Sequence, residues 1–125
     1  MPKRTESAPN RATSVAPGGN AVLTLVSSDR VRESTVYLRS LTTVIDPVTN
    51  SAFATMRLRV NGNPFFPFNN MISQQSAGTI PKQFDPPIPL GTDCEVDVLG
   101  EMASGAVGNT TMVAGFDLEV IPKGE

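Results

Sequence analysis

Residues 55–60 alternate without a break: Met56, Leu58 and Val60 fall on one side, Thr55, Arg57 and Arg59 on the other. A period of two is the pattern of a strand with one buried face and one wet face. Asn61-Gly62 follows directly. Both residue types tolerate positive φ, so the pair predicts a tight hairpin turn. Asn63-Pro64-Phe65-Phe66-Pro67-Phe68 then places three of the six Phe within four residues. Burying one Phe is worth roughly 1.5–3 kcal/mol, so this cluster is expected to close one end of a core.

The same period recurs along the chain. In 93–98, Cys94, Val96 and Val98 are expected to point in, and Asp93, Glu95 and Asp97 out. In 111–121, Phe116, Leu118 and Val120 face in, and Asp117 and Glu119 face out. Residues 21–27 form a further strand, with a turn at 28–30. Residues 34–45 carry apolar side chains on both faces, which suits a central strand or one that changes face at a bulge. Asp46-Pro47-Val48-Thr49-Asn50 ends it, making 53–60 its expected hairpin partner. Short strand pieces are expected at 71–72 and 79–80. Asp85-Pro86-Pro87-Ile88-Pro89-Leu90 cannot be a central strand, because three of its six residues lack an amide donor; an extended crossing between sheets is expected there. Residues 103–110 read as a hairpin loop.

No stretch shows three turns of amphipathic helix. Eleven Pro and ten Gly among 125 residues suit a fold made of strands and turns. The prediction is an all-β antiparallel sandwich of jelly-roll or Greek-key type, a single domain over 21–125. Residues 1–20 contain no large apolar residue after Met1 except Val15. They are expected to be a disordered or extended N-terminal arm, since little there offsets the entropy of ordering.

The chemistry-bearing residues are sparse. The chain has no His, and Cys94 is its single Cys. This removes an intrachain disulfide and the commonest general base and metal ligand. Cys94 is expected to be a small buried apolar residue. Asp93, Glu95 and Asp97 could be read as a hard-cation site, but such sites draw ligands from curved loops. A solvated outer face, or one matched to Arg57 and Arg59 on a paired strand, is the preferred reading. Asn109-Thr110-Thr111 matches the glycosylation acceptor pattern, yet the basic N-terminal residues precede no apolar segment of the kind a secretory signal needs. No catalytic constellation can be assembled, so neither an enzyme nor a cofactor is predicted, and no membrane partner.

Charge is uneven. Lys3, Arg4 and Arg11 oppose Glu6 in residues 1–20, and five Arg oppose three carboxylates in residues 21–60. Residues 61–125 hold two Lys against eight carboxylates, and the chain as a whole is at −2. That acidic balance, with one Tyr and no Trp, argues against nucleic acid as a partner. A basic front and an acidic back would suit self-association, with a homotrimer as the expected form.

Over residues 53–121 the order of elements resembles small accessory proteins of tailed-bacteriophage heads. The resemblance rests on the alternating strand, Val60-Asn61-Gly62-Asn63-Pro64, the aromatic-Pro turn, and a polar loop. Gln83-Phe84-Asp85-Pro86-Pro87-Ile88-Pro89-Leu90, an acidic alternating strand and a final strand complete it. Proteins of this layout resemble jelly-roll cement, or decoration, proteins. The resemblance implies a structural virion protein, made in the host cytoplasm and bound to the capsid outer surface. There it would stabilise contacts between major capsid subunits. Arg4 and Arg11 on the arm, and Phe65, Phe66 and Phe68 at the tip, are the expected capsid or subunit contacts. The alternative is a head-fibre or tail-fibre module that binds a host-surface glycan.

Overall fold

The computed structural model describes residues 3–46, 53–65 and 82–123. Among these residues eight strands run in chain order: β1 (Arg4–Val15), β2 (Asn20–Val26), β3 (Ser34–Asp46), β4 (Ala54–Val60), β5 (Asn63–Pro64), β6 (Lys82–Thr92), β7 (Val96–Met102) and β8 (Thr110–Pro122). A short 3-10 turn spans Ser28–Val31.

The strands form two antiparallel four-stranded sheets, β1-β8-β3-β6 and β2-β7-β4-β5. This order has a simple origin. Strands β1 to β4 and β8 to β5 pair as a nested ribbon: first with last, second with seventh, third with sixth, fourth with fifth. Rolling that ribbon brings β8 against β3 and β7 against β4. The result is the eight-stranded, two-sheet jelly roll, so the all-β sandwich expected from alternation is the fold observed.

The core lies between the sheets. Leu38, Leu118, Val36 and Val120 come from the first sheet, and Met56, Leu58, Val96 and Val98 from the second; all are fully buried. They are the inward members of the alternating segments, as expected from their period. Gly100 on β7 keeps the layers close: a Cβ there would come within 2.6 Å of Met112 Sδ. In β3 the inward set changes from Val36 and Leu38 to Leu41 and Ile45. The change comes where pairing to both neighbours shifts register between Leu38 and Ser40. This bulge is the device that lets one strand carry apolar residues on both faces.

The turn Asn61-Gly62 joins β4 to β5, with φ of 54° and 81°. Two consecutive positive φ values are what the tightest hairpin connection requires. Asn61 also seals this end of the sandwich: its N–H donates to Glu95 O at 2.8 Å, and its Oδ1 accepts from Glu95 N–H at 2.9 Å.

Four expectations are corrected. Residues 4–15 are not a free arm but β1, paired with β8 from Arg4↔Val120 to Val15↔Thr110. Backbone pairing and two small buried residues, Ala8 and Val15, hold a segment whose side chains alone could not. β4 is not the hairpin partner of β3; it pairs with β7 in the opposite sheet. The link over 103–109 is likewise no hairpin loop, since β7 and β8 belong to different sheets. The Pro-rich segment is β6, an edge strand beside β3 rather than a crossing between sheets. An edge tolerates Pro because one row of amides has no ladder to join. The predicted turn at 46–50, apart from Asp46, and the strand pieces at 71–72 and 79–80 lie outside the described residues.

Candidate functional site

Two surfaces carry the polar chemistry, and each follows from the register. On the outer face of the second sheet, three rows cross the strands. They are Leu25–Asp97–Arg59, Val22–Leu99–Arg57 and Asn20–Glu101–Thr55. Arg59 grips Asp97 with two bonds, Nε to Oδ1 at 2.7 Å and Nη2 to Oδ2 at 2.8 Å. Asp97 is 4% exposed. The bonds to Asp97 raise the Arg59 pKa further, against a smaller opposing effect of burial. Arg57 pairs with Glu101 on the next row, at a half-exposed position. The match of Arg57 and Arg59 to the acidic strand is therefore made. It is one-sided, though: Asp93 and Glu95 precede β7 in a loop, and Asp93 accepts from Glu33 N–H. Among the described residues no group of three carboxylates, Cys or His is placed to hold a metal ion.

Beside these ion pairs, edge strand β2 exposes two aliphatic side chains, Val22 at 49% and Leu25 at 50%. The register shift between Val22 and Thr24 puts both on the outer face. Sequence alternation misses this pair, because an unbulged strand would send positions three apart to opposite faces.

The outer face of the first sheet is different. Its rows are Thr5–Glu119–Tyr37–Pro89 and Ser7–Asp117–Ser40–Gln83. Between them β6 loses its ladder. Ile88 pairs with Leu38 and Gln83 with Ser40, so residues 84–87 have no partner positions on β3. Pro86 and Pro87 lack the amides that would rejoin it. The excursion leaves a cleft of about 510 Å³, lined on one side by Phe84, Asp85 and Pro87 and on the other by Arg39 and Glu119.

The residues singled out as contacts do not converge. Arg4 starts β1, donating to Glu6 Oε1 at 3.3 Å and to the Arg30 carbonyl. Arg30 completes the cluster through Glu6 Oε2 at 2.7 Å. Arg11 is exposed further along β1. Phe65 lies on the opposite flank, after β5; it packs partly buried against the core and donates its N–H to Leu58 O at 2.8 Å. Phe66 and Phe68 lie outside the described residues. Among the described residues, part of the opposing charge of the two halves is matched inside the chain, as at Arg57–Glu101 and Arg59–Asp97, because the jelly roll interleaves early and late strands. Lys3–Glu119 at 2.9 Å is a further instance.

Cys94 is buried, and burial pushes its thiol pKa up, with Asp93 adding to the shift. The folded state therefore holds this proton more tightly than the unfolded chain does. The associated stability is complete below the unfolded value of about 8.5 and is lost as pH rises through the folded value. The urea midpoint is expected to fall above about pH 9 in the native chain and to fall less in Cys94→Ala. Iodoacetamide should label Cys94 slowly in buffer and rapidly in urea; equal rates would show that the thiol is accessible.

No helix among the described residues is long and apolar enough to cross a membrane. Comparison with protein-family models, with curated proteins and with solved structures finds no match to this chain.

Proposed function

We propose that this jelly roll is a structural virion protein of the cement, or decoration, type. In this reading it binds the outer surface of a phage head as a homotrimer and braces neighbouring major capsid subunits. The observation that carries the reading is the outer face of the second sheet. There Val22 and Leu25 stand exposed next to two intramolecular ion pairs that stiffen the surface around them. An exposed aliphatic pair with a polar rim is the composition of a modest protein contact. The folded body offers such a contact without rearrangement, which lowers the entropic cost of docking. Modest contacts repeated over a symmetric shell become strong through valency. A bound partner also stabilises the assembled state by mass action.

Pairing of residues 4–15 with β8 changes the mechanism. Reach by a free arm is replaced by contact through the sandwich itself, with exposed Arg11 as a remaining β1 candidate. The test uses heads assembled with and without the protein and challenged by heating or osmotic shock. Heads carrying it are expected to survive better, and Val22→Glu with Leu25→Glu should release the protein while circular dichroism stays that of the native fold. Equal survival of bare and decorated heads would count decisively against the reading. Sedimentation equilibrium should show a trimer at tens of micromolar (roughly the range where weak interfaces fill).

A further inference from the structure

We infer that the cleft on the outer face of the first sheet binds a short, uncharged oligosaccharide. This goes beyond capsid attachment, which uses the other sheet. The cleft of about 510 Å³ falls inside the ~300–1,000 Å³ range of small-ligand sites. A recess of about 80 Å³ lined by Ser40 and Asp117 adjoins it, sharing Arg39 and Gln83 as walls. A groove thus runs across β6, β3 and β8 rather than ending in a single pit.

Its chemistry is mixed at short range. Arg39 donates only, Asp117, Glu119 and Asp85 accept, and Gln83 and Ser40 do both. Sugar hydroxyls each donate and accept, and neighbouring hydroxyls present pairs of such groups. Planar forks such as Arg39, Asp117 and Gln83 match those pairs two bonds at a time. Pro87 and the exposed part of Phe84, whose ring also packs against the core, supply apolar surface for the C–H face of a ring.

The charges decide between ligand classes. Lys3 and Arg39 face Asp85, Asp117 and Glu119, and Lys3 is already held by Glu119 at 2.9 Å. A phosphate or sulfate polymer would meet three carboxylates with one cation not held by a carboxylate, Arg39, whose guanidinium donates to the hydroxyl of Thr5 at 3.1 Å. A neutral polyol meets no such repulsion. The groove is also prepared before binding. Ser40 donates to Asp117 Oδ2 at 3.3 Å, and the register shift at Arg39 brings Ser40 onto the outer face beside it. These groups sit on paired strands, and rigid strands place polar groups better than loops do.

The test is a printed array of neutral, amino and acidic mono- to hexasaccharides probed with the full chain. The best binder is then titrated into nitrogen-labelled protein by NMR. A neutral oligosaccharide should bind saturably and shift the amides of residues 37–40, 83–87 and 117–119. Arg39→Ala and Asp117→Ala should each weaken binding roughly tenfold or more, and Val22→Glu should leave it unchanged. The inference is overturned by an array with no binder, by shifts that map elsewhere, by preference for acidic sugars, or by variants that bind as the native chain does. Capsid attachment can fail or survive independently, since Val22→Glu tests it on the opposite face.

Discussion

Deleting residues 2–15 is expected to unfold the sandwich or drive it to aggregate, not to shorten a dispensable tail. These residues form β1, the edge of the first sheet, and Ala8 and Val15 are each 3% exposed in the core. Their removal strips β8 of one partner along nearly its whole length. β8 is 13 residues long with apolar alternate positions, and a bare edge of that kind invites pairing with another chain. Each net hydrogen bond contributes about 0.5–1.5 kcal/mol. Losing one side of the ladder therefore costs on the order of 5 kcal/mol, comparable to the ~5–15 kcal/mol that holds a typical domain together. Thermal melting and light scattering of the truncated chain measure this. A truncated protein that melts cooperatively at the native temperature would show that β1 is only loosely attached, and would restore the picture of a free arm.

The second large effect is expected at Arg59. Arg59→Ala should lower the unfolding free energy by about 3 kcal/mol, because it leaves the Asp97 carboxylate buried without the two N–H groups that solvate it. The cost lies in the stranded charge more than in the lost attraction. Replacing both residues, Arg59→Leu with Asp97→Leu, should therefore recover much of the stability. The neighbouring pair supplies the control. Arg57 and Glu101 are each 36% exposed, where solvent screens the attraction, so Arg57→Ala should cost under ~1 kcal/mol. Urea unfolding of the four proteins checks all three values. Similar losses for Arg57→Ala and Arg59→Ala would show that burial of Asp97 does not set the energy.

The two results bear on the candidate surfaces differently. Val22 and Leu25 stand beside the Arg59–Asp97 and Arg57–Glu101 pairs, so a loosened ion pair should blur the contact face of the second sheet. The oligosaccharide groove is built on β3, β6 and β8 and should be indifferent to Arg59. It depends instead on β8 keeping its place, which truncation of β1 disturbs.

The sequence by itself determined which face of β4, β7 and β8 is buried. Met56 and Leu58, Val96 and Val98, and Phe116, Leu118 and Val120 repeat every second residue, and a strand has no other way to bury such a set. It also determined the Asn61-Gly62 turn, where local sterics select the residues. It marked residues 85–90 as unfit for a central strand, since Pro removes donors wherever it sits. What it left open depends on groups distant in the chain. β1 is a strand because β8 offers it a ladder, and backbone hydrogen bonds have no side-chain signature. β4 pairs with β7 rather than with β3, because the choice of sheet is made when the whole ribbon rolls up. Val22 and Leu25 share a face through a bulge that alternation cannot foretell. The groove exists because Pro86 and Pro87 leave the ladder beside Arg39, 46 positions before Asp85 in the chain. Only the tertiary structure brings those residues together, because adjacency across a sheet is set by register and not by separation in sequence.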